Sequence, residues 1–130
     1  MIDQKKKESS EDYLERILML SNKLGKVRSI DIANDMLFSK PSVSIAIKKL
    51  KENNFITIDK NGYIYLTEIG LQKASEVYER HVILSESLKA LGIDEKTALI
   101  DACKIEHDLS EESFQKIKEH YLAMTSKKNQ

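Results

Sequence analysis

The chain has 130 residues, one proline, four glycines and few aromatics (6%), a composition that favours one helix-rich domain, or two small units, over a barrel or sandwich. Its 21 basic and 21 acidic side chains cancel, so total charge gives no general argument for a polyanionic partner. No apolar run reaches the roughly 18 residues of a membrane span, and the polar start MIDQKKKESS has no signal-peptide core, so a cytoplasmic protein with no membrane partner is expected. The single cysteine fits a reducing compartment.

Residues 1–8 read as a solvated leader. Ser9 or Ser10 caps a helix that begins near Glu11, carries Tyr13, Ile17, Leu20 and Leu24 at helical spacing, and stops at Gly25. A short helix in SIDIANDML follows, with Ile30, Ile32, Ala33 and Leu37 as its apolar face. In SKPSVSIAIKKLKENN, Ser39 caps a third helix and Pro41 sits where a missing N–H costs little. Val43, Ile47 and Leu50 form its buried stripe, which leaves Ser42, Ser44, Lys48, Lys49 and Lys51 outside. FITIDKNGYIYLT then alternates around Asn61-Gly62 and predicts a two-stranded hairpin. From Thr67 a long helix runs to Leu91, with Leu71, Ala74, Tyr78, His81, Leu88 and Leu91 near one face and Gly92 at its end. Two more helices are expected, roughly 94–107 and 111–123, the second capped by Ser110, and the tail TSKKNQ is expected to fray.

Helix, short helix, turn, helix and hairpin is the order of a winged helix-turn-helix, so the fold is mainly α with a two-stranded β wing. On that reading Lys40, Lys48 and Lys49 offer phosphate contacts, and so do Arg28 ahead of the second helix and Lys60 in the wing. Ser39, Pro41, Ser42 and Ser44 surround the start of the recognition helix, where short side chains let the backbone approach base edges. Twelve basic against nine acidic side chains in residues 1–66, and nine against twelve in residues 67–130, place a polyanion on the N-terminal half. A winged helix used only for protein contacts is the bland alternative.

Cys103, Glu106 and His107 stand at i, i+3 and i+4, one face of a helix, and bring a thiolate, a carboxylate and an imidazole together. Asp12 and Glu15 are likewise one turn apart, and His81 lies beside the apolar stripe of the long helix. Each has an ordinary reading. A histidine is favoured at a helix end, Asp12 can close a capping box with Ser9, and a lone cysteine or histidine is commonly a core residue. Together the three segments offer up to six donors, enough for a metal sensor. No phosphate loop, nucleophile elbow or HExxH is present, so an enzyme is not expected.

EDYLERILML, SIDIANDMLFSKPSVS, YLTEIG, YERHVIL and CKIEHDLS, in that order over roughly residues 9–122, resemble the diphtheria toxin repressor family of metal-dependent transcription regulators, particularly its short manganese transport regulator branch. The resemblance implies a winged helix-turn-helix DNA-binding domain (1–70) and a helical metal-binding and dimerisation domain (71–130), with no room for the SH3-like domain of longer members. It implies that Asp12, Glu15, His81, Glu106 and His107 bind the metal. Cys103 departs from the manganese branch, which has glutamate there; the iron branch has cysteine but typically methionine in place of Asp12. The cofactor is then Fe²⁺ or Mn²⁺, the thiolate tipping the balance to iron, with Co²⁺, Ni²⁺ or Zn²⁺ able to substitute in vitro. The implied partners are a second copy of the chain and double-stranded DNA with a palindromic operator, with no small-molecule substrate. Two rivals stand beside this repressor: a metal-independent winged-helix regulator sensing a small organic ligand, and a metal-stabilised protein interaction module.

Overall fold

The computed structural model describes residues 2–128, with side chains from Ser10 to Ser126. Six helices and one hairpin follow in the order α1 (Ile2–Leu24), α2 (Ser29–Met36), α3 (Lys40–Glu52), β1 (Ile56–Ile58), β2 (Ile64–Leu66), α4 (Glu68–Ala90), α5 (Glu95–Ile105) and α6 (Glu111–Lys128). The chain divides into two compact units, residues 1–76 and 77–130.

In the first unit, Tyr13, Leu14, Ile17 and Leu20 of α1 meet Ile32 and Ala33 of α2, Val43, Ile47 and Leu50 of α3, and Ile56 and Ile64 of the hairpin in one core. α1 starts at Ile2 rather than near Glu11. Nothing in residues 2–10 breaks a helix, and their Lys, Glu and Gln residues favour one, so the serines are passed over as caps. Three expected core residues are exposed instead: Leu24, Ile30 and Leu37, the last being the left-handed C-cap of α2.

Antiparallel pairing of Ile56 with Leu66, Thr57 with Tyr65 and Ile58 with Ile64 sets the hairpin register. Its turn is wider than two residues. The Gly62 N–H donates to the Asp59 carbonyl (3.0 Å) and the Asp59 N–H to the Tyr63 carbonyl (3.0 Å), leaving Lys60 and Asn61 at the centre and Gly62, φ +85°, in the left-handed position. A bridge the sequence does not announce joins Val27 to Ile64, whose N–H donates to the Val27 carbonyl at 2.7 Å. This fixes the segment before α2 against the wing.

Asp59 organises that wing. Its Oδ1 accepts from the N–H groups of Asn61 and Tyr63 (2.9 Å each) and its Oδ2 from the Tyr65 hydroxyl (3.2 Å). The Tyr63 amide above all, then that of Asn61, holds the carboxyl below the ordinary aspartate range. A depressed folded value stabilises the fold above the unfolded value of about 3.9 and loses its effect as pH falls through the folded one. Asp59→Ala is therefore expected to lower the thermal midpoint at neutral pH, with the gap to the parent closing on acidification below about 4; melting curves across pH check this.

YLTEIG also has a structural cause. Thr67 caps α4, accepting from the Gly70 N–H (3.1 Å) while its hydroxyl donates to the Asn54 carbonyl (2.7 Å). This presses Gly70 against the loop after α3, where an added Cβ would overlap the Phe55 carbonyl oxygen. Gly70→Ala is expected to destabilise the first unit by about 1–3 kcal/mol, read as a lowered denaturation midpoint.

The second unit buries Val77, Ile83 and Leu84 of α4, Ala98 and Ala102 of α5, and Phe114 of α6. The buried stripe of α4 thus runs through Ala74, Val77 and Leu84, and the expected Leu71, Tyr78 and Leu91 are exposed. Ser110 caps α6 as expected, accepting from the Ser113 N–H at 3.1 Å. α6 extends past Thr125 to Lys128, and residues 129–130 lie outside the described part. Among the described residues no helix is long and apolar enough to cross a membrane.

Candidate metal centre and nucleic-acid interface

The outer face of α3 is exposed along its length, with Lys40, Pro41, Ser42, Ser44, Lys48 and Lys49 all facing solvent. Ser39 is committed to the cap: its Oγ accepts from the Ser42 N–H (3.3 Å) and donates to the Ser42 hydroxyl (2.9 Å). The two serines act as a pair that shapes the start of the helix. Arg28 lies elsewhere in the sequence but is held at the wing, its guanidinium 4.4 Å from the centre of the Tyr63 ring. Lys26, absent from the expected set, approaches the same ring at 5.0 Å. Lys60 is exposed at the hairpin tip. Tyr63 therefore gathers two cations onto the wing, an arrangement that depends on the Val27–Ile64 bridge.

On α1, Glu15 is buried (3% exposed) and Asp12 half-buried. Because the helix begins at Ile2, Asp12 sits in its interior and cannot serve as an N-terminal cap, which removes the ordinary reading of that residue. Burying a carboxylate such as that of Glu15 is costly without hydrogen bonds or a cation.

The second unit supplies imidazoles. α5 ends at Ile105, so Glu106 is its C-cap and His107 lies in the following turn, not within a helix reaching 107. Glu106 is buried (2% exposed). His81 Nδ1 stands 3.0 Å from its Oε2, and His107 Nε2 stands 3.5 Å from its Oε1, which accepts no hydrogen bond among the described residues. Cys103 lies one turn earlier on α5 and is exposed. The second unit thus brings His81 of α4 to Glu106 and His107, a buried carboxylate between two imidazoles. Hard oxygen, borderline nitrogen and soft sulfur in one segment suit a divalent transition ion.

Sequence reasoning missed Arg80. Its Nη1 donates to the carbonyls of Glu106 (3.1 Å) and Leu109 (2.6 Å), its Nη2 to Glu111 Oε2 (2.9 Å), and its guanidinium lies 5.0 Å from the Phe114 ring centre. Hydrogen bonds from Gln115 first and Arg80 second hold the Glu111 carboxyl below its ordinary range. Arg80 therefore ties down the turn that carries Glu106 and His107.

Residues 6–64 match the family model for the iron dependent repressor N-terminal DNA binding domain, and residues 67–126 the model for its metal binding and dimerisation domain. An uncharacterized HTH-type transcriptional regulator of Methanocaldococcus jannaschii is 34% identical over 113 residues, covering 85% of this chain and 90% of the relative. The HTH-type transcriptional regulator MntR of Listeria welshimeri is 33% identical over 109 residues, covering 84% and 77%. Among solved structures, the manganese regulator SloR superimposes with a TM-score of 0.75 at 28% identity, and IdeR of T. acidophilum with 0.75 at 26%. A manganese-dependent transcriptional repressor in complex with manganese gives 0.79 at 25% identity. The match covers 85 or 86% of this chain but spans only 52 or 53% of those solved chains. The chain belongs to the iron-dependent repressors, metal-dependent transcription regulators in which a DNA-binding domain precedes a metal-binding and dimerisation domain.

Proposed function

We propose that the chain is a cytoplasmic repressor that binds a palindromic operator as a homodimer when loaded with Fe²⁺ or Mn²⁺. The observation that carries the metal reading is the buried Glu106 carboxylate flanked by His81 and His107. The proposed ligand set is Asp12, Glu15, His81, Cys103, Glu106 and His107. When bound, the ion supplies the positive charge that these carboxylates and the thiolate require. The buried Glu15 and the interior position of Asp12 support giving α1 a share in the site.

Asp12 and Glu15 belong to the unit that carries α3 and the wing, and the other four donors to the second unit. A ligand set drawn from both couples metal affinity to operator affinity, and the coupling is reciprocal. Lys40, Lys48, Lys49, Arg28 and Lys60 supply phosphate contacts in this reading, while Ser39, Pro41, Ser42 and Ser44 set how closely the start of α3 approaches the bases. Each recognition helix then enters a major groove, its mate one helical turn or a small multiple away. The carboxylates suit manganese and the Cys103 thiolate suits iron.

The test is anaerobic titration of Fe²⁺ and Mn²⁺ against binding of the full chain to a fluorescent promoter duplex, followed by anisotropy. Either metal is expected to raise affinity, and chelator to reverse it. Affinity that persists in chelator would mark a metal-independent regulator, and absence of salt-dependent duplex binding a protein interaction module.

A further inference from the structure

The recognition face of α3 contains one residue that neither folding nor phosphate binding accounts for. Ile45 is 66% exposed, whereas Val43, Ile47 and Leu50 of the same helix are buried. At 3.6 residues per turn, Ile45 points nearly opposite that stripe, one turn after Pro41 and Ser42 and one turn before Lys48 and Lys49. A β-branched residue there lowers helix propensity and leaves most of its apolar surface in water, so it contributes little to the isolated fold. The surrounding charge selects the occupant: α3 carries Lys40, Lys48, Lys49 and Lys51 against a single acid, Glu52, at its far end.

We propose that Ile45 reads thymine, packing against the 5-methyl group in the major groove and so setting operator sequence. Among the features that base pairs present in that groove, the thymine methyl is the apolar one, and apolar side chains recognise it. The neighbouring lysines hold the backbone, the serines let the helix approach, and Ile45 supplies a sequence-dependent contact that charge cannot. The inference rests on the DNA-binding reading above and assigns it a base preference.

The probe is a duplex selected from random-sequence DNA by the full chain in Mn²⁺, then resynthesised with each thymine replaced singly by uracil. That change removes only the methyl group. At one thymine in each half-site, uracil is expected to weaken binding by the parent chain roughly fourfold, the worth of burying one methyl. Ile45→Ala is expected to bind the thymine and uracil probes alike at that position, with an unchanged or raised melting midpoint. Lys49→Ala is expected to weaken both probes equally and keep their ratio. The proposal is overturned if Ile45→Ala retains the parent's ratio at every position, or if no thymine is sensitive. It also falls if Ile45→Ala changes oligomeric state and leaves duplex binding intact. Failure to select any duplex would reject the DNA-binding reading itself, a result distinct from these.

Discussion

Glu106→Ala combined with His107→Ala is expected to leave the chain folded and its metal-free DNA affinity unchanged, while abolishing the response to Fe²⁺ or Mn²⁺. Metal can shift operator binding by no more than its preference for the binding-competent state. A preference of ~100-fold corresponds to about 2.7 kcal/mol, and the double variant should lose that whole increment. Two features make the fold tolerant. Removing Glu106 removes a carboxylate that is 2% exposed, and with it a desolvation cost; the loss of a partner for His81 Nδ1 works the other way by ~1–3 kcal/mol. The proposed phosphate-contact residues Arg28, Lys40, Lys48, Lys49 and Lys60 all belong to the first unit and keep their own supports. Circular dichroism should match the parent, and anisotropy against a promoter duplex should give one curve with or without metal. A variant that still tightened on the duplex when metal was added would remove Glu106 and His107 from the ligand set.

The elements were legible because their punctuation is local. Gly25 and Gly92 follow the ends of α1 and α4, Ser39 and Ser110 cap α3 and α6, and the alternation around Asn61-Gly62 became β1 and β2. The start of α1 was misplaced because Ser9-Ser10 looks like a cap, whereas capping is decided by what precedes it, and residues 2–8 continue the helix. Periodicity located helix faces but misjudged which apolar residues the core covers. Ala74 and Val77 are buried on α4 while the larger Leu71 and Tyr78 are exposed, since close packing of a helix favours the small side chain at the contact. Spacing alone paired the proposed ligands Asp12 with Glu15 and Cys103 with Glu106 and His107; the approach of His81 to Glu106 has no spacing signal across 25 residues and was expected only from the family resemblance. The remaining parts of the sites work through backbone. The Val27–Ile64 bridge brings Arg28 and Lys26 to Tyr63, and Arg80 binds carbonyl oxygens, which have no signature in a sequence.

Arg80→Ala is expected to weaken metal binding about 10–100-fold while leaving the ligands themselves in place, the usual cost of losing a group that orients them. The last carbonyls of an α-helix lack partners within it, and a cation there is favoured. Arg80 meets that need at the end of α5 and at Leu109 with one fork, and its third bond reaches Glu111 at the start of α6. Since His81 is the next residue on α4, the backbone that presents this imidazole also anchors the turn that presents Glu106 and His107. Loss of the fork frees that turn to sample other geometries, so metal must supply the ordering that Arg80 supplies in the parent. Lysine, a point charge without the fork, should rescue only in part. The variants separate on one plot of duplex binding against metal concentration. Arg80→Ala should reach the parent's plateau at higher metal, because its donors are intact, whereas the Glu106/His107 double variant should not reach it at any concentration. A lowered plateau with an unchanged metal midpoint would instead mean that Arg80 only supports the fold, and its assignment as a positioning residue would fail.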